Sequence, residues 1–165
     1  MKNSSIKLYN VIFPIWMLLI FPQTWLVVAP VNFIIDFAVV FFMMKKLGIQ
    51  QPKEKTKKVI LKVWLCGFIG DLVGGAFMFI SSFFSINNWW YQNVARHVYN
   101  PFQSIYAFLW TSACVLVSAA AIYYLNRIYC FKATDFEETH IKKISLALAV
   151  ITAPYLFLLP PSWFI

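Results

Sequence analysis

From Val11 to Met44 the chain carries a single charged side chain, Asp36. As one straight helix this run would extend roughly 51 Å, too far for one crossing of a hydrocarbon core about 30 Å thick. The break is expected at "FPQTW", residues 21–25, because Pro22 cannot continue the backbone ladder and Gln23 and Thr24 prefer water. That division gives one span over residues 11–21 and a second over 26–44. Later apolar stretches place three more spans at 60–84, 105–125 and 144–160.

Of the 165 residues, 61% are hydrophobic and 12% charged, against about 25% charged in soluble domains, so much of the apolar surface has to face lipid. The expected fold class is all-α: a polytopic membrane bundle of about five transmembrane helices forming one domain, residues 1–165. A four-span alternative treats residues 11–44 as an interfacial segment plus one crossing. Lys2 and Lys7 precede the first run as they would in a secretion signal, but no small-residue cleavage site follows, so the run is read as mature chain. No linker is long enough to hold a soluble domain, which confines any chemistry to the bundle, its short loops or a partner.

Basic residues accumulate on the cytoplasmic side of short loops. With the N-terminus inside, five crossings place Lys2, Lys7, Lys45, Lys46, Lys62, Arg127, Lys132, Lys142, Lys143 and the lysines of the basic loop 45–58 in the cytoplasm, leaving Arg96 and the C-terminus outside. The expected location is a cell (plasma) membrane. Membrane topology accounts for the net charge of +8 without nucleic acid, and the basic inner loop is expected to meet anionic lipids, at about 1 kcal/mol per basic residue near the surface. On the outer side, Trp89, Trp90, Tyr91 and Tyr99 read as headgroup-level anchors or a short interfacial helix. In "ATDFEETH" the pairs Thr134–Glu137 and Asp135–Glu138 have capping-box spacing and mark a helix start.

Two acids, Asp36 and Asp71, fall near the centres of the second and third spans. An aspartate there costs roughly 2.5 to 3.5 kcal/mol on insertion scales, whereas each Leu, Ile, Phe or Val returns about 0.3 to 0.6. Both acids are therefore expected to face inward, satisfied by a proton, a bound cation or polar neighbours. Asn32, one turn before Asp36, joins them, and Thr111, Ser112, Ser118 and Thr152 supply oxygens at similar depth. Gly67, Gly74 and Gly75 share a helical face with Asp71, and Gly70 flanks it, so this face is expected to be the packing seam. At a constant offset of 35 residues, Phe33, Ile34, Asp36, Phe42 and Met43 match Phe68, Ile69, Asp71, Phe77 and Met78, as in an inverted repeat with a midplane site.

The function expected from these residues is a small carrier or channel-like protein that moves a proton, a cation or a small cationic solute through the carboxylate site. Five short spans enclose little volume, so it is expected to act as a homo-oligomer or with a partner membrane protein. The alternative is a non-catalytic subunit, such as an accessory or immunity protein packed against a larger complex. Catalysis is the weaker reading, because His97 and His140 fall on opposite sides. Glu137 and His140 form one E-x-x-H, where di-iron bundles need two with further carboxylates. Cys66, Cys114 and Cys130 form no C-x-x-C and are read as packed thiols. No metal or cofactor is expected.

Overall fold

The computed structural model describes residues 22–83, 88–98, 100–132 and 134–160. The expected span 11–21, with Lys2 and Lys7, lies outside these residues, as does Tyr99. The described chain forms α1 (Pro22–Lys46), α2 (Pro52–Phe83), α3 (Asn88–Asn93), α4 (Ile105–Leu125) and α5 (Glu138–Ile151). Short 3₁₀ turns at Ala95–His97, Pro101–Gln103 and Tyr155–Leu158 and a π turn at Asn126–Cys130 complete it. Among the described residues every regular element is helical. Three stretches, Pro52–Ile80, Ile105–Cys130 and Glu138–Leu158, are long and apolar enough to cross a membrane.

Helix α1 starts at Pro22, four residues ahead of the expected 26, since proline fits the first helical turn, where its missing N–H is not needed. It also contains Pro30, which removes a backbone donor within the helix. Helix α2 starts at Pro52 for the same reason and runs 32 residues, about 48 Å. The expected basic loop 45–58 is corrected accordingly. Only the turn between Lys46 and Pro52 is non-helical, and the lysines from Lys53 onward stand on helix. Lysine and glutamate are good helix formers, and the Thr56 hydroxyl donates to the Pro52 carbonyl at 2.7 Å. The turn needs left-handed backbone at Gly48 (φ 71°) and Gln51 (φ 52°); glycine adopts it without a Cβ clash.

Helix α4 spans the expected 105–125. Helix α5 starts at Glu138, past both expected caps, Thr134 and Asp135, and without either capping box. Glu137 occupies the N-cap with no side-chain hydrogen bond. Thr134 instead donates its hydroxyl to the Phe131 carbonyl, closing a turn upstream of the helix start. Helix α5 ends at Ile151, nine residues short of the expected boundary, and Pro154 opens the 3₁₀ turn that follows.

Two apolar clusters hold the bundle. Val40, Met44, Val63, Ile122, Phe131, Ile144 and Leu148 pack toward one end, and Met78, Val94, Cys114, Val115 and Phe157 toward the other. The ends differ in charge. Lys45, Lys46 and the lysines of early α2 lie toward the end that carries the α4–α5 connection, where Lys55 stands over the Phe136 ring and Arg127 pairs with Glu138 at 2.6 Å. Arg96 and His97 lie at the opposite end, beside α3, where Trp89 meets Tyr106 and Trp90 meets Trp110 edge to face. Leu61, Leu65, Ile69 and Leu72 are exposed along α2, as are Leu109 and Leu116 on α4, an apolar exterior suited to lipid.

Candidate functional site

Among the described residues the most extensive helix contact is between α2 and α4, and two glycines four residues apart bring the backbones close. A Cβ added at Gly74 would stand 2.7 Å from Ser118 Cβ and 3.1 Å from the Cys114 carbonyl; one at Gly70 would meet Ile122, its backbone nitrogen at 3.2 Å. Small residues at i and i+4 are how membrane helices bring their backbones together. The expected seam is thereby corrected. Gly70 and Gly74 line it, Gly75 has open space around the position of a Cβ, and Gly67 looks instead toward Asp36, whose Oδ2 is 3.5 Å from such a Cβ.

This approach delivers Ser118 to the acids. Its hydroxyl reaches the Gly70 carbonyl at 2.9 Å and Asp71 Oδ1 at 3.3 Å, sharing one proton between two acceptors. Asp36 comes from α1 on the other side of α2. It is only 4% exposed, and among the described residues no hydrogen bond to its carboxylate is found. Burying a charge without partners is costly, which favours a proton or a cation at this side chain.

Asp36 and Asp71 line one cleft of about 320 Å³ with Asn32, Trp64, Thr152 and Tyr155. Its hydrogen-bonding character is one-sided. The Trp64 indole N–H is committed to the Ala29 carbonyl at 3.0 Å, the Thr152 hydroxyl to the Leu148 carbonyl at 2.9 Å and the Tyr155 hydroxyl to the Val150 carbonyl. Among the described residues no lysine, arginine or histidine lines the cleft. It therefore presents carboxylate and hydroxyl lone pairs with few free donors, a surface complementary to positive charge or to a proton. Trp64 stands edge-on between Phe33 and Phe68, at 6.1 and 5.1 Å, and adds a π-face.

Thr111 and Ser112 are not at this cleft, contrary to expectation. Thr111 is buried on the same side of α4 as Ser118 but two turns away, about 10 Å along the axis, and Ser112 is rotated off that face. Trp64 and Tyr155 were not singled out from the sequence, since aromatic residues occur throughout the spans. The thiols Cys66 and Cys130, distant in sequence, meet at 3.1 Å. His97 and His140 lie at opposite ends, with His97 Nδ1 near Gln103 Oε1 at 3.2 Å. Compared with protein families, curated proteins and solved structures, the chain matches none.

Proposed function

We propose that this is a multi-pass plasma-membrane protein that carries a small cationic solute, with Asp36 and Asp71 as its counter-charges. The observation that carries the reading is the buried Asp36 carboxylate, without a hydrogen bond among the described residues, in a cleft shared with Asp71. Two carboxylates in one low-dielectric space repel each other when both are ionised, and a proton or a cation between them relieves that. The space is several times the roughly 30 Å³ that one water occupies in the liquid. A bare ion would leave most of it unfilled, whereas an organic ammonium would set its charge on the acids and its carbon on Trp64 and Tyr155.

In this reading Asp36 is the primary anchor. Asp71 is the second acid, held by Ser118, and Asn32 orients the solute's N–H groups. Helix α1 and the segment before it bring the number of crossings to five, with the basic end cytoplasmic and the N-terminus inside, and the carrier assembles as a homo-oligomer. Reconstitution into sealed vesicles tests the function. Uptake of a fluorescent aromatic ammonium should saturate for the intact protein and vanish for the Asp36→Asn/Asp71→Asn variant, with helicity and melting retained. Uptake that is absent, or indifferent to the double replacement, refutes the carrier and leaves the packing-subunit reading.

A further inference from the structure

A second concavity lies at the basic end, away from the acids. Lys55, Lys58 and Lys62 stand at i, i+3 and i+7 on α2, one helical stripe, and the α4–α5 connection folds back over them through Thr134, Asp135 and Phe136. Together with Val59 and Cys130 these residues enclose a pocket of about 260 Å³. Lysines spaced along a helix ordinarily diverge into solvent; here a wall closes one side, and Phe136 holds the Lys55 ammonium 5.2 Å from its ring centre.

The charges in this pocket do not cancel. Among the described residues the ion pairs are Lys57–Glu54, Arg127–Glu138 and Lys142–Glu138, and none involves Lys55, Lys58 or Lys62. The lining offers one carboxylate, Asp135, to three ammonium groups. Like charges at these spacings destabilise a helix, so the arrangement has a cost that an anion with two charges and several acceptor oxygens would offset. Carboxylates carry one charge on two oxygens. A phosphate ester carries up to two charges on three free oxygens, which matches three ammonium groups with one acid opposing them.

We infer that this pocket is a binding site for a phosphate monoester group. Its place at the lysine-rich end of the apolar bundle suits phosphatidic acid, the phospholipid whose headgroup is a phosphate monoester, and a soluble phosphate monoester would present the same chemistry. The inference is independent of the carrier reading, because no residue is shared with the acidic cleft.

The test uses the full chain in nanodiscs of phosphatidylcholine with graded phosphatidic acid, with bound lipid counted by native mass spectrometry. Lys58→Gln/Lys62→Gln is compared with Lys53→Gln/Lys57→Gln, a pair on the same helix that does not line the pocket. The pocket pair should lower phosphatidic acid retention about 30-fold, on the basis of the energy per basic residue near a charged surface. All four lysines are exposed, so in 0.5 M salt, where charges are screened beyond about 4 Å, only direct contact of a bound phosphate with Lys58 and Lys62 should keep part of this difference, while that of the control pair vanishes. Displacement of the lipid by glycerol 3-phosphate supports recognition of the phosphate ester from either source, and retention against it supports the lipid as the source. Equal losses for the two pairs in 0.5 M salt, or retention of phosphatidic acid no greater than of phosphatidylcholine, overturn the inference.

Discussion

Replacing Gly74 with alanine tests the seam on which Ser118 and Asp71 depend. The added methyl would lie 2.7 Å from Ser118 Cβ and 3.3 Å from Phe157 Cε2, against an ordinary carbon–carbon contact of about 3.5 to 4.0 Å. Helices α2 and α4 must separate by close to 1 Å, and such overpacking typically costs 1 to 3 kcal/mol. The same movement lengthens the Ser118–Asp71 contact, already 3.3 Å, beyond hydrogen-bonding reach. That loss adds about 0.6 kcal/mol, the mean for interhelical bonds in membranes. Against this, alanine is favoured over glycine within a helix by about 0.8 to 1 kcal/mol. Gly75→Ala receives the same propensity gain without the clash, since among the described residues nothing lies within 4 Å of the added methyl. The difference between the two variants thus isolates the seam, at about 1.5 to 3.5 kcal/mol. Reversible unfolding in mixed micelles should give Gly75→Ala at or above the parent stability and Gly74→Ala below it. Equal stability of the two variants would refute the packing described.

Asp36→Asn alone should raise the melting temperature while abolishing ammonium binding, because the native carboxylate is buried without a donor; a lower melting temperature would mean that the acid stabilises the fold. Trp64→Phe keeps the ring between Phe33 and Phe68 but removes the indole N–H that holds Ala29, and should cost about 0.6 kcal/mol in the same micelle assay. A mild thiol oxidant should join Cys66 to Cys130 within one chain, leaving Cys114 as the one thiol that alkylates after denaturation. Three free thiols after oxidation would contradict the 3.1 Å contact.

The helical class, the start of α4 and the burial of Asp36 were legible in the sequence because each follows from local terms: apolar length, proline and the cost of exposing charge to hydrocarbon. The basic segment was misread as a loop since lysine serves equally as a topology signal and as a helix former, and only the turn at Gly48 and Gln51 decides between them. The capping boxes failed because Thr134 found a nearer acceptor. For Thr111 and Ser118 the sequence offered two buried hydroxyls on one face of α4, and helix register alone decided which would meet Asp71.

What the amino-acid order determines by itself is the solvent. A chain this apolar, with its charges gathered into short segments, forms helices long and apolar enough to cross a membrane, where a lipid-facing Asp36 or Asp71 would be costly. What it leaves open is which groups those acids meet, since that depends on how closely two helices approach and at what rotation. Tertiary packing decided this through the glycines at 70 and 74, which let α4 bring Ser118 to Asp71, and through the crossing of α1 over α2, which set Asp36 against Gly67. Both are long-range contacts whose geometry is fixed only when the backbones touch.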